Sequence, residues 1–362
     1  MTAWNPEKVR QDFVLLRNTD RVYFDNAATS QKPQCVLDAV EEFYQKYNAN
    51  VLRGLYPLSV EATERYEAAR RTVQRFIHAA CPEEIIFTRN ATESMNLVAY
   101  SYGMANLKAG DEILVSIMEH HSNILPWQMV SRATGAKLVF LECEPDGTIT
   151  KEKMDAAFSE HTRMVAVTQV SNVLGCVNDI PELVKRARAC GAAILMDAAQ
   201  SAPHMPIDVQ KLDVDFVAFS GHKMLAPMGI GVLYGKQELL EKMPPFLTGG
   251  EMIETVSRYD AVYAELPHKF EAGTVNAGGA VGLAAAIDYL ESYGMDKLHA
   301  VEQELTAYLF RGMKAIPHIH VLGSDREDNH TGIVSFAVDQ VHPHDISEVL
   351  SSDGMDIRAG HH

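Results

Sequence analysis

Between residues 84 and 234 the chain alternates short, solidly apolar runs with longer stretches of helical spacing. This rhythm limits the fold more than any other feature. The runs are 84–88, 112–116, 137–141, 164–168, 192–196, 215–219 and 229–234. Runs of Val, Ile, Leu and Phe without polar alternation belong to a sheet covered on both faces. Helical spacing near 92–106, 123–134, 150–158 and 180–190 fills most of the gaps. Such alternation predicts an α/β protein with a largely parallel sheet and right-handed crossovers. A plain dinucleotide fold places GxGxxG after its first strand, and none stands there.

The flanks read differently. Residues 1–20 form an amphipathic helical arm with Val9, Phe13, Val14 and Leu16 among charged neighbours. A strand at 22–25, a polar turn at 26–30 and a helix from Pro33 follow. An irregular loop at 48–59 carries Gly54 and Pro57, and a long helix covers roughly 60–79. Residues 244–278 lose periodicity, and a loop of that length in a compact domain is functional or interfacial. A helical zone at 280–315, a strand at 332–338, a helix at 344–353 and a strand start at 355–358 suggest a second, smaller α+β domain. The expected division is 19–290 for the large domain, with 1–18 and 291–362 forming the small one; 362 residues suffice for both.

A net charge of −16 argues against a general binder of nucleic acid or membrane surfaces. No apolar run approaches the ~18 residues of a membrane span. The first residues have neither the basic segment nor the apolar core of a secretory signal. Five scattered cysteines (35, 81, 143, 176 and 190) form no CxxC pair and no disulfide framework. A reducing cytoplasm fits this composition.

In open α/β sheets ligands bind beyond the carboxyl ends of the strands, so the residues there carry the chemistry. One run ends in Ser220-Gly221-His222-Lys223 and the preceding one in Asp197. Taken alone, Lys223 is a solvated lysine and Asp197 a helix cap. Together they supply what pyridoxal phosphate needs: an amine for a Schiff base and an acid for the pyridine nitrogen. Other strand ends add to this. Thr92 and Ser94 open a helix after Arg89-Asn90, where a phosphate is favoured, although the same string also serves as an ordinary N-cap. His120 and His121 are adjacent and share no face, so a metal site is the weaker use and stacking on a ring the better one. Asn172 offers an amide for a phenolic oxygen.

The strings YFDNAAT, RNATESMN, MEHHSNILPWQ, VSNVLG, MDAAQ, FSGHKM, FEAGTVN and IRAGHH span most of the chain. In them the sequence resembles the class V, fold-type I pyridoxal-phosphate enzymes, specifically the SufS-type (group II) cysteine desulfurases and selenocysteine lyases. The resemblance implies a mainly parallel, mixed seven-stranded sheet in the large domain and pyridoxal 5'-phosphate as cofactor. It implies that Lys223 carries the cofactor, Asp197 holds the pyridine nitrogen and His120 stacks on the ring. Gln200 and Asn172 would lie at the phenolic oxygen, and Thr92, Ser220 and His222 at the phosphate. Thr274 would reach the phosphate of a neighbouring subunit, giving a homodimer with shared sites. Arg358, Asn26 and Arg53 are the implied substrate contacts.

The expected reaction converts L-cysteine to L-alanine and passes sulfur as a persulfide to an acceptor protein for iron–sulfur cluster assembly. L-Selenocysteine lysis, another class V lyase or aminotransferase activity, and a non-catalytic cofactor-binding scaffold are the alternatives. Ala91 replaces a family threonine, and the loop at 50–59 lacks both family histidines, with Leu52 and Tyr56 in it and Arg53 as the remaining polar candidate. In the family a nucleophilic cysteine follows the two histidines that here are His361 and His362, the last residues of the sequence. A chain stopping there is expected to lack desulfuration. Cys176, near Asn172, is the substitute to consider, and the other four cysteines read as small buried or half-buried residues.

Overall fold

The computed structural model describes residues 4–324, 326 and 329–360. The seven apolar runs form one sheet: β1 (Ile85–Thr88), β2 (Glu112–Ser116), β3 (Lys137–Leu141), β4 (Thr162–Thr168), β5 (Ala193–Asp197), β6 (Phe216–Ser220) and β7 (Gly231–Gly235). Their spatial order is β1-β7-β6-β5-β4-β2-β3. Strands β2 to β6 pair in parallel, while β7 runs antiparallel to both β6 and β1. The sheet is therefore mixed and mainly parallel. Strand β7 reverses because only a short connection separates it from β6; a parallel pairing needs a crossover of a dozen residues or more.

Successive side chains of a strand point to opposite faces, and both faces here are covered. Leu114, Val165, Ile194, Met196, Val217 and Phe219 enter one apolar layer. Ile113, Val115, Met164, Leu195 and Phe216 enter the other. Burying each such side chain contributes about 1.5–3 kcal/mol, which explains runs with no polar alternation.

The principal helices are α1 (Pro57–Phe76), α2 (Ala91–Leu97), α3 (Leu125–Thr134), α4 (Ile180–Cys190), α5 (Ala277–Tyr293), α6 (Met295–Lys314) and α7 (Pro343–Ser352). Helix α4 has the expected limits: Asp179 accepts from the Glu182 N–H at 3.0 Å, and Gly191 ends it at φ 69°. Helix α1 begins three residues earlier than expected, with Pro57 in the first turn, where its missing N–H costs nothing. The helical zone at 280–315 is two helices, parted by Gly294 at φ 92°. Gly282 of α5 lies so close to Pro227 and Val40 that a Cβ would meet both at 2.7 Å.

Three expectations need correction. The N-terminal arm is two short helices, Pro6–Asp12 and Val14–Arg17, split at Phe13, which is extended and bridges to Pro33. The aperiodic stretch at 244–278 contains an antiparallel hairpin, β8 (Ile253–Val256) with β9 (Ala261–Tyr263). Its side chains are largely exposed, so no buried face imposed a pattern on the sequence. The early strand is only Val22–Tyr23, and it pairs in parallel with Met355–Asp356 near the other end of the chain. Among the C-terminal segments, β10 (Ile319–Val321) and β11 (Phe336–Val338) pair antiparallel. No helix among the described residues is long and apolar enough to cross a membrane.

Candidate active site

Parallel strands β5 and β6 are neighbours, so their carboxyl ends face the same crevice. Asp197 is the last residue of β5, 4% exposed, and its Oδ1 accepts from the Ala199 N–H at 2.9 Å. Lys223 ends a single turn, Gly221–Lys223, directly after β6. Burial raises the Asp197 carboxyl above its ordinary range, against the opposing Ala199 hydrogen bond and Lys223 charge. Burial lowers the Lys223 amine; Asp197 opposes that shift and the nearby Arg358 charge reinforces it. A lysine so placed loses its proton more readily than a surface lysine and is the more nucleophilic for it.

The turn bearing Lys223 is held from the N-terminal segment. The His222 carbonyl accepts from the Ser30 N–H at 3.0 Å, Ser30 Oγ at 3.0 Å, Thr29 Oγ1 at 3.2 Å and Lys32 Nζ at 3.2 Å. Ser30 Oγ also accepts from the Leu225 N–H at 2.8 Å. Burial brings the Lys32 amine down to about 8. The His222 imidazole is also lowered, by burial first and then by Lys223 and Lys32.

Two further strand ends meet at a chain of polar groups. Thr92 Oγ1 and Ser122 Oγ lie 2.6 Å apart, and Ser122 Oγ lies 2.9 Å from His120 Nδ1. Thr92 and His120 are exposed. Asn90 caps α2 by accepting from the Glu93 N–H at 3.0 Å. Ser220 Oγ accepts from the Ala91 N–H at 2.8 Å, which joins the end of β6 to the start of α2. Position 91 thus contributes its backbone, although the side chain has lost a hydroxyl.

Gln200, 4% exposed, donates through Nε2 to the Ala27 carbonyl at 2.8 Å, and its Oε1 is buried without a partner. Asn172 is half-buried on the loop after β4. Arg358 is exposed and donates through Nε and Nη2 to Asp25, while Asn26 donates to the Tyr23 carbonyl at 3.1 Å. Arg53 pairs with Glu251 at 2.9 Å, on the segment leading into the β8–β9 hairpin. Thr274 is exposed on the loop before α5, whose Gly273 N–H donates to the Gly250 carbonyl at 2.9 Å. The structure thus gathers Thr92, His120, Asp197, Ser220, His222 and Lys223 at the strand ends, and places Arg53 and Thr274 on a separate loop cluster. His361 and His362 lie outside the described residues.

Cys176 is 1% exposed, and burial pushes its thiol up to about 11, so it is no substitute nucleophile. Cys35 is exposed rather than buried. Sequence reasoning missed Asp25, Lys32 and Glu119. Glu119 is 7% exposed, and its only sequence signal is a carboxylate directly before His120 in an otherwise apolar strand end.

A mixed sheet of this order, with a lysine facing a carboxylate across adjacent strand ends, is the fold of the class V pyridoxal-phosphate-dependent aminotransferases. Residues 22–362 match the aminotransferase class-V family, and the chain belongs to that family. A protein of Halalkalibacterium halodurans named "Probable cysteine desulfurase" is 52% identical over 341 residues, covering 94% of this chain and 83% of that one. The apo structure of a cysteine desulfurase from Thermococcus onnurineus NA1 superposes with a TM-score of 0.95 at 42% identity, covering 100% of this chain and 90% of that one. A cysteine desulfurase structure from Escherichia coli gives 0.91 at 38% identity, covering 99% and 89%.

Proposed function

We propose that this protein is a pyridoxal 5'-phosphate-dependent cysteine desulfurase of the SufS type. It would release L-alanine from L-cysteine and hand the sulfur to an acceptor protein in iron–sulfur cluster assembly, in the cytoplasm. The observation that carries the reading is Lys223 facing Asp197 at adjacent strand ends, in a chain 52% identical to a protein named for that activity.

The residues present fit the cofactor. The buried, unpartnered Oε1 of Gln200 is an orphan that a bound polar group would satisfy. Among the described residues the Asp197 side chain accepts from the Ala199 N–H through Oδ1, which leaves its second oxygen for a protonated ring nitrogen. A Cβ on Gly231 would lie 2.5 Å from the Asn90 backbone, so the β7 backbone and the start of α2 pack without a gap beneath the proposed phosphate position. Lys223, Asp197, His120, Gln200, Asn172, Thr92, Ser220 and His222 would hold the group.

When bound, pyridoxal phosphate supplies an electron sink for the bonds of the substrate α-carbon. Asp197 would keep a proton on the ring nitrogen. Lys223 would take the α-proton through its amine. Arg358 would exchange Asp25 for the substrate carboxylate, with Asn26 and Arg53 as further substrate contacts. A cysteine thiolate of the enzyme would attack the substrate sulfur, forming the S–S bond of a persulfide as the Cβ–S bond breaks, and the electron pair left on the carbon side would take a proton to give alanine. That thiolate would belong to the cysteine that follows the two histidines in the family string.

The reading divides the chain into a cofactor-binding unit at 19–290 and a smaller unit of 1–18 with 291–362. It also pairs two copies into a homodimer in which Thr274 reaches the other copy's phosphate. Leu55 and Tyr259, each 96% exposed, lie on the same loop cluster, linked by Arg53–Glu251 and Gly273–Gly250. Apolar side chains so exposed support an interface there.

The test uses the full-length natural protein, loaded with pyridoxal phosphate and given L-cysteine together with a thiol reductant. Alanine and sulfide should appear in equal amounts, the thiol being oxidised to its disulfide as it releases the persulfide sulfur, and Lys223→Ala should abolish both along with the absorbance band of the lysine-bound cofactor. A full-length, cofactor-loaded protein that releases neither product would refute the assignment.

A further inference from the structure

Glu119 stands one residue before His120, and its carboxylate is buried where three segments meet. Asn123 Nδ2 donates to its Oε2 at 2.7 Å, and the Thr168 N–H donates to its Oε1 at 2.8 Å, with Ser116 Oγ beside the same oxygen. Asn123 closes the turn, since its N–H donates to the His120 carbonyl at 2.8 Å. Its own Oδ1 accepts from the indole of the fully buried Trp127 at 3.2 Å. The turn carrying His120 is therefore tied to the core through Glu119.

The other end of the tie is the edge that bears Asp197. Thr168 ends β4 and is the register partner of Asp197 in β5, and the next residue, Gln169, donates its N–H to the Asp197 carbonyl at 2.9 Å. Two buried carboxyl groups thus flank one backbone segment. Ionising both would place like charges together away from water, which is strongly unfavourable. Asp197 faces the cation of Lys223, which in turn faces Arg358; Glu119 faces Asp197 and the uncharged donors Ser116, Asn123 and Thr168.

We propose, resting on the function above, that Glu119 is a positioning residue. It fixes the His120 turn to the Asp197 strand edge, and the two buried carboxyl groups that flank that edge disfavour a second negative charge beside the one offered to the cofactor. Burial is the main force raising the Glu119 carboxyl, to about 8, with Asp197 adding to it. The three hydrogen bonds oppose the shift without cancelling it. The site then gains a second negative charge only as the medium turns alkaline.

Holoenzyme carrying Glu119→Gln or Glu119→Ala tests this by absorbance and visible circular dichroism of the lysine-bound cofactor. In the wild type, ionised Glu119 helps retain a proton at the cofactor above pH ~8, an effect that glutamine cannot supply. The pH midpoint at which the long-wavelength band disappears should therefore fall in Glu119→Gln by about half a unit or more. The circular dichroism of that variant should stay near wild type, because glutamine keeps the tie. Glu119→Ala removes the tie, and the dichroic band should lose about half its intensity or more as the His120 turn loosens. If the alanine variant does not fold, the glutamine midpoint alone decides. An unchanged midpoint in Glu119→Gln would overturn the inference while the function stands. A wild-type protein with no lysine-bound cofactor band would overturn both.

Discussion

Arg358 donates through Nε and Nη2 to the two carboxylate oxygens of Asp25, each at 2.8 Å. This is a fork-to-fork geometry that lysine cannot reproduce. The same fork suits an amino acid's carboxylate, so Asp25 occupies Arg358 as a substrate would. Arg358→Lys should raise KM for cysteine about ten- to hundredfold, the loss of a charge-assisted hydrogen bond, with kcat changed much less. Steady-state kinetics on the full-length protein would check this, and an unaltered KM would remove Arg358 from substrate binding.

Arg70 and Glu271 form a buried ion pair at 2.7 Å, and Glu271 also accepts from the Phe87 N–H at 2.7 Å and Tyr66 Oη at 2.8 Å. Burial alone would raise the Glu271 carboxyl, but the charge of Arg70 and the surrounding donors bring it to about 2. A depressed acid stabilises the fold above its unfolded value near 4.5, and that contribution is lost as pH falls toward 2. Glu271→Ala removes the buried partner of Arg70 and leaves it Glu67 at 2.9 Å, which should cost about 1–3 kcal/mol in urea unfolding at neutral pH. The acid-induced loss of stability between pH 4.5 and 2 should also become shallower in this variant. Because Glu271 precedes the Thr274 loop directly, cofactor affinity should weaken with it.

Lys32, with its amine near 8, should be the fastest lysine to acylate in the holoenzyme. At pH ~8 about half of such an amine is neutral, roughly a hundredfold more than for an ordinary lysine. Peptide mass spectrometry after brief acetylation would rank it against the exposed Lys185. Equal labelling of the two would contradict the assigned environment. The linkage sign is equally specific: Lys32 favours the fold increasingly as pH climbs from 8 toward 10.5, because there the unfolded chain still holds the proton.

Gly231→Ala should be poorly tolerated. Its Cβ would meet the Asn90 Cα at 2.5 Å and the Asn90 N at 2.8 Å, and backbone cannot move aside as a flexible side chain does. The expected cost is about 1–3 kcal/mol, measured by denaturant unfolding. A fluorescence titration should show weaker pyridoxal phosphate binding as well, since the start of α2 is displaced.

The sheet was legible because burial on both faces leaves strands with no polar alternation, and its strand ends pointed to Lys223 and Asp197 before any coordinates. Short-range chemistry was legible too: Asp179 and Gly191 mark both ends of α4. The β8–β9 hairpin was not, because exposed strands carry no burial pattern. Nor was the role of Glu119, whose partners Asn123 and Thr168 lie on different segments and leave no periodic trace. The Asp25–Arg358 pair was hidden for the same reason, as its members are 333 residues apart.

That separation sets an order of events on the ribosome. The turn holding Asp25 and Asn26 leaves the exit tunnel early, yet Val22–Tyr23 has no strand to join until Met355–Asp356 is made. At about 5–20 residues per second of synthesis, the interval is on the order of 17–67 s. Once Asp197 and Lys223 have been made, the nascent crevice has its acid and its lysine but not yet the Arg358 guanidinium at its mouth. A ribosome stalled before residue 355 would therefore leave a core able to fold around a mouth still open.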